Sequence, residues 1–458
     1  MAFILPFRGL RYNTARAGLM TELVAPPYDV VDIRKRDRLI SRNRYNIFSL
    51  ELPEKKICRG TAEDKYTCAR TLFRDWISKS VLIKNSLPAV YPYDINFSTP
   101  EGIFCRRGFI ALIRIEDWKK GIIRPHERTF NKVTEDRLRL METTEAQFSQ
   151  IFLLYRHNKD AARILLSSPR KELYTIEDES GNTHSLWQIT HVPSLVSLRR
   201  TLADSILYIA DGHHRYTTAL NYRNKMRELY GDDPSMPYNY LMAYLVDAED
   251  PGLIVLPCHR IITMPHQPDP GSIEKDASQL FEIESIAAGT GINSLGLAGE
   301  ITKRLEGSPS RRGLGVVFGR NRRAAIWWLK HATDQDVSRN HMHPALTSLD
   351  VVMLEEKVMK DALHIDSHGL EVGKTIQYVV EADSAIERLG EQDILFILRS
   401  TPVSQVLDVS DAGQTMPHKS TFFYPKILTG LIMNTISRNE PLDLLEETEH
   451  SPGTAKVS

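Results

Sequence analysis

A chain of 458 residues is long enough to bury a full core and, at ordinary domain sizes, to hold two or three domains. With 42% hydrophobic residues, 25% charged residues and zero formal net charge, it reads as globular, and a nucleic-acid partner is disfavoured because the usual basic surplus is missing. The four cysteines, Cys58, Cys68, Cys105 and Cys258, form no CxxC pair and fit no zinc spacing, so reduced thiols and a cytoplasmic location are expected. The opening "MAFILPFRGL" carries too short an apolar run for a signal peptide. No stretch reaches bilayer-spanning length, so no membrane partner is expected.

In chain order, "VAPPYDVV" (24 to 31) sets two prolines before Tyr28 and Asp29, a rigid loop. The apolar spacing of Tyr66, Ala69, Leu72, Phe73, Trp76 and Ile77 predicts a helix over 64–83. "RRGFIALIRIEDW" (106 to 118) reads as a strand, and Pro125 ends any ladder after it. A helix is expected to open at Thr134, with Glu135 and Asp136 in its acidic first turn, in the stretch "TEDRLRLMETTEAQFSQIF". The strand "QIFLLYRH" (150 to 157) follows, and 158–200 reads as irregular and polar, then helical.

"SILYIA" (205 to 210) predicts a buried strand and "RYTTALNYRNKMRELY" (215 to 230) a helix. Two strands joined at Asp250-Pro251-Gly252 are expected over 238–262, and a hairpin near Gly319-Arg320-Asn321. A last α/β unit follows: a helix in "TSLDVVMLEEKVMKDAL", a strand in "TIQYVV", a helix in "EADSAIERL", a strand in "QDILFILR" and a helix stopping at Gly413. The tail from about 440 is acidic, then small and polar, and is expected to be disordered.

Three stretches carry chemistry. In "LYIADGHHRYTTAL" (207 to 220) a strand ends in Asp-Gly and turns into a helix. Free amides at such a helix start favour an anion, phosphate above all. Gly212 permits close approach. Arg215 adds a fixed cationic fork, Asp211 can hold Mg²⁺, and His213 and His214 can donate to phosphate. Helix capping by Asp211 with surface histidines would account for the same residues singly. In "RPHERT" the carboxylate of Glu127, beside His126, can accept a proton from a substrate hydroxyl; an exposed ion-pair cluster is the plainer alternative. In "GQTMPHKSTFFYPK" (413 to 426), Lys419, Ser420 and Thr421 can offer an ammonium and two hydroxyls to phosphate. A surface loop packed by Phe422, Phe423 and Tyr424 is the alternative. Walker and GxGxxG motifs do not occur.

Taken together, "PFRGLRYN", "VAPPYDV", "RPHERT", "DGHHRY" and "MPHKSTFFYPK" resemble the DUF1015 family over nearly the whole chain. The last three, in the same order, also resemble the active-site segments of the free L-serine kinases of the ParB/sulfiredoxin superfamily. That resemblance implies an α/β fold with mixed sheets: a ParB/sulfiredoxin-like catalytic core over 111–262, an N-terminal α/β extension over 1–110, and a C-terminal α/β subdomain over 263–435 supplying a phosphate loop. A disordered tail over 440–458 completes the division.

The kinase resemblance further implies phosphoryl transfer from ADP or ATP to free serine with Mg²⁺, or the reverse, consuming O-phosphoserine. Glu127 matches the base, Asp211 the magnesium-side carboxylate, and Gly212, His213, His214 and Arg215 the phosphate positions. Lys419, Ser420 and Thr421 match the third segment, and Tyr28, Asp29 and His126 are possible pocket residues. Phe422 and Phe423 replace an Arg-His pair of the kinases, which leaves the mode of nucleotide binding open. Competing readings are a ParB-like nucleotide-binding regulator and a metal-dependent phosphoserine phosphatase with His213 and His214 as ligands.

Overall fold

The computed structural model describes residues 1–54, 64–129, 131–156, 158–286, 294–330, 342–365 and 374–444. They form a mixed α/β architecture in two compact units. The first unit holds Met1–Arg124, Thr129–Leu253 and the chain from Pro425 onward; the second holds Pro125–Arg128 and Ile254–Tyr424.

The first unit is built on a nine-stranded sheet. Its strands are β1 (Ile4–Leu5), β2 (Tyr91–Thr99), β3 (Gly102–Arg114), β4 (Ile123–Arg124), β5 (Ile151–Tyr155), β6 (Lys171–Glu177), β7 (Thr183–Gln188), β8 (Leu207–Asp211) and β9 (Tyr240–Asp247). The order is β4-β8-β5-β9-β3-β2-β7-β6, with β1 on β3. Only the β4–β8 and β5–β9 pairs are parallel. From Gly108 to Ile113 every residue of β3 is buried, so this apolar run is covered on both faces, as a central strand requires.

The helices of this unit include α1 (Lys65–Ser78), α2 (Asn131–Thr144), α3 (Lys159–Ser167), α4 (Val192–Leu202) and α5 (His213–Tyr230). Leu195, Leu198 and Leu202 of α4 and Tyr216, Ala219 and Leu220 of α5 share one core with Ile151, Leu153 and Ile209 of the sheet. Their i, i+3, i+4 spacing is what turns one helix face inward.

Several expectations need correction. The helix expected from Thr134 starts at Asn131 and stops at Thr144; Glu145 takes a left-handed φ of 49°, and Ala146–Gln147 is extended. The stretch 158–200, expected to be irregular before its helix, holds α3 and the β6–β7 hairpin as well. Within β6 only Tyr174 and Ile176 are buried, and an edge strand with so polar an outer face hides its period-two signal. The expectation of four reduced thiols fails at Cys68, which stands in a disulfide, whereas Cys105 and Cys258 are free.

The second unit carries a six-stranded antiparallel sheet made of β11 (His259–Thr263), β12 (Phe281–Ile286), β13 (Gly313–Phe318), β14 (Ala324–Leu329), β15 (Ile376–Val379) and β16 (Asp393–Ile397), in the order β12-β14-β13-β16-β11-β15. A separate short ladder pairs β10 (Ile254–Leu256) with β17 (Phe422–Tyr424). The hairpin around Gly319-Arg320-Asn321 is present as β13–β14. Helix α6 (Val403–Asp411) ends with Gly413 at φ 64°. The helix expected in "TSLDVVMLEEKVMKDAL" is α-helical over Asp350–Met353 and widens to a π-helix over Leu354–Ala362. The tail from 445 lies outside the described residues. Among the described residues no helix is long and apolar enough to cross a membrane.

Candidate functional site

The candidate residues divide between the two units. In the first, β8 is buried through Ala210, and its ladder with β5 shifts register between Ile209 and Asp211. That shift leaves Asp211 at the strand tip. Gly212 then adopts φ 95° and ψ 29° and serves as the cap of α5. A Cβ there would sit 2.9 Å from Ile151 Cγ2 and 3.0 Å from Arg215 Nε, so the turn needs glycine for its backbone and for its space. Helix α5 therefore starts at His213, two residues before the expected Arg215. His213 is buried and His214 half-buried.

The Asp211 carboxylate, only 10% exposed, has a cation at each oxygen. Arg215 Nη2 donates to Oδ1 at 3.1 Å, and Lys426 Nζ donates to Oδ2 at 2.6 Å. Arg215 Nη1 also donates to the Gln150 carbonyl. Burial alone would lower the Arg215 pKa; Asp211, then Asp29, Tyr28 and Glu51, more than offset it, so the guanidinium is held charged. Tyr28 lies in a short 3-10 turn after Pro26-Pro27, with the Arg137 guanidinium 4.8 Å from its ring centre. Burial pushes its hydroxyl up to about 12, against the pull of Arg215. Asp29 is exposed.

Lys426 is the residue that sequence reasoning missed, although it ends the quoted "KSTFFYPK". Its placement is tertiary. Arg106 Nη2 donates to the Pro425 carbonyl at 2.7 Å, Gln150 Nε2 donates to the Leu428 carbonyl at 3.0 Å, and Leu428 N–H donates to the Tyr93 hydroxyl at 3.3 Å. These three bonds fix the backbone on both sides of Lys426.

In the second unit, Glu127 forms a parallel bridge with Met416, whose N–H donates to the His126 carbonyl at 2.8 Å. This brings "RPHE" beside "MPHKST". His418 Nδ1 lies 2.6 Å from Glu127 Oε1, the two side chains 26% and 18% exposed. His126 is buried and its Nε2 is 3.2 Å from Thr421 Oγ1. Ser420 Oγ donates to the Pro417 carbonyl at 2.6 Å, and Thr401 Oγ1 donates to the Ser420 carbonyl at 3.1 Å. The Ser420 hydroxyl thus helps hold its own loop, and the Thr421 hydroxyl meets His126.

Lys419 sits at φ 56°, a left-handed conformation costing roughly 1–2 kcal/mol without glycine. Arg260 offsets it by donating to the His418 and Lys419 carbonyls at 3.2 and 2.9 Å, its guanidinium 4.5 Å from the Tyr378 ring centre. His418 in turn meets that ring edge-on at 5.7 Å. His418 and Arg260 were also missed; His418 had a signal, standing directly before Lys419. Phe422 and Phe423 are ladder residues of β17, so their positions serve packing.

Set against solved structures, the chain is similar to a mutant free serine kinase in complex with ADP, at 11% identity and TM-score 0.34, over 73% of this chain and 94% of that one. It is similar to a conserved hypothetical protein from Pyrococcus furiosus, at 12% identity and TM-score 0.32, over 69% and 92%. It is similar too to C-terminally truncated SbnI from Staphylococcus aureus, at 11% identity and TM-score 0.34, over 74% and 90%. The curated proteins yield no match. The family model described as "Protein of unknown function (DUF1015)" matches residues 4–352, a span that includes "RPHERT" and "DGHHRY" and stops before "MPHKSTFFYPK". The chain belongs to the DUF1015 family.

Proposed function

We propose that this protein transfers a phosphoryl group between a nucleotide, ADP or ATP, and free serine, forming or consuming O-phosphoserine. The observation that carries the reading is the Asp211 carboxylate held between Arg215 and Lys426 at a strand tip that turns through glycine into a helix. Phosphoryl transfer asks the protein for positioning and charge neutralisation more than for covalent chemistry. A phosphate entering this turn meets two cations that are already desolvated and fixed, so little reorganisation accompanies the reaction.

Glu127 is assigned the proton of the acceptor hydroxyl, with His418 orienting its carboxylate. Lys419 is assigned a second phosphate contact, and the cost of its left-handed backbone is consistent with a functional position. Asp211, at the strand tip, would hold Mg²⁺ as a single carboxylate ligand in the way nucleotide-bound magnesium prefers. When bound, the ion supplies neutralisation of phosphate oxygens.

The test is incubation with Mg²⁺, ADP or ATP, and L-serine, followed by phosphorus NMR for O-phosphoserine, with the reverse reaction in parallel. Formation or consumption of O-phosphoserine is expected. Its absence in both directions with both nucleotides would overturn the proposal.

A further inference from the structure

Within the first unit, a cavity of about 40 Å³ is lined by Glu51, Arg137, Ser149, Arg215, Thr218 and Leu241, among others. A single water needs roughly 10–15 Å³ on this kind of measure. The space therefore suits about three waters or one compact polar molecule, and it excludes a nucleotide.

The lining is charged although it is buried. Glu51 is 4% exposed, Arg137 8% and Arg215 7%. Glu51 Oε1 accepts from Ser149 Oγ at 2.9 Å and lies 4.0 Å from Arg137 Nη1. Glu51 Oε2 has no hydrogen-bond donor among the described residues, and Arg215 Nε has no acceptor among them. Glu51 and Arg215 both line the cavity, so a polar molecule held there can meet the free carboxylate oxygen and the free guanidinium N–H.

The balance of signs narrows that ligand. A bare anion would meet the Glu51 carboxylate, and a bare cation would meet the guanidiniums of Arg137, which also pairs with Asp136, and of Arg215, which also pairs with Asp211. A small molecule carrying both charges satisfies the acid and the bases together. Apolar Leu140, Phe148 and Leu241 complete the wall, which suits a short carbon skeleton. Arg215 faces this cavity and also pairs with Asp211, so the occupant would lie one side chain away from the clamp assigned to phosphate.

We infer that this cavity binds a free α-amino acid, its ammonium on Glu51 and its carboxylate between Arg137 and Arg215. The inference rests on the proposed phosphotransfer in one respect, that the amino acid bound here is the phosphoryl acceptor.

The test is calorimetric titration of the full-length protein with L-serine and with 3-hydroxypropionate, which keeps the carboxylate and hydroxyl but lacks the ammonium. Wild type is expected to bind L-serine about 10- to 100-fold more tightly, the usual range for one charge-assisted contact. Glu51→Gln, which retains an acceptor for Ser149, is expected to lose that preference while binding nucleotide as before. Equal affinity of wild type for the two ligands overturns the inference, and this needs no variant to fold. An unchanged preference in folded Glu51→Gln overturns it as well. O-phosphoserine formation with a serine KM unmoved by Glu51→Gln would remove this site and leave the reaction standing. Glu51-dependent serine binding without phosphoryl transfer would do the opposite.

Discussion

Lys426→Met tests the Asp211 clamp most directly. The substitution keeps an unbranched side chain one atom shorter and deletes the ammonium at 2.6 Å from Asp211 Oδ2, between groups only 18% and 10% exposed. Removing one partner of a buried pair costs about 3–5 kcal/mol when the remaining charge is left alone. Here Arg215 stays at 3.1 Å from the other oxygen, so the carboxylate keeps one cation and the expected loss is nearer 2–3 kcal/mol, an order-of-magnitude figure. Asp211→Asn should cost a similar amount by removing the charge that Lys426 and Arg215 meet. The double variant should cost clearly less than the sum, with a coupling of about 1–2 kcal/mol. Urea unfolding of the four proteins measures the cycle. If the proposed reaction is correct, Lys426→Met also lowers turnover by about 10²–10³-fold, as loss of a preorganised donor does elsewhere. Strict additivity of the two single variants would refute the reasoning, because it would mean that the contact carries no interaction energy.

Further predictions follow from the same geometry. Glu127→Gln is expected to reduce phosphoryl transfer by about 10²–10⁴-fold while leaving nucleotide affinity in calorimetry unchanged; full activity would remove Glu127 as the base. Gly212→Ala forces a Cβ into Ile151 and Arg215 at a left-handed φ, and a loss of about 2–4 kcal/mol in urea unfolding is expected; a loss below about 0.5 kcal/mol would contradict it. Burial, then Arg260, lowers the His259 imidazole to about 4. The unfolded chain takes up that proton near pH 6.5, so the contribution is full above 6.5 and fades as pH falls toward 4, by about 3 kcal/mol in all. In His259→Gln the dependence of unfolding free energy on pH between 4 and 6.5 should flatten by one proton, and an unchanged slope would show that another group is responsible.

Much of the local structure was legible because it is set by short-range physics. The helix around Tyr66, Ala69, Phe73 and Trp76, the strand through Phe109 and Leu112, and the β13–β14 hairpin all follow from periodicity and turn chemistry. The Asp211-Gly212 turn was legible for the same reason, since an apolar strand, a glycine and a helix pattern stand side by side in the chain. What stayed hidden was of two kinds. The β6–β7 hairpin lies at a sheet edge, where few side chains are buried and the pattern is faint. The start of α2 at Asn131 and its stop at Glu145 depend on single residues, where boundary signals are weakest.

The sequence alone determined which residue types stand at each chemical position and which local turns present them. Tertiary structure alone decided which of them meet. Lys426 reaches Asp211 across a separation of 215 residues, held there by Arg106, Gln150 and Tyr93. Glu51, Arg137 and Arg215 close on one cavity from three distant segments. Glu127 finds His418 through an isolated bridge to Met416, far along the chain. Such pairings depend on how the strands order within a sheet, and no local propensity records that order.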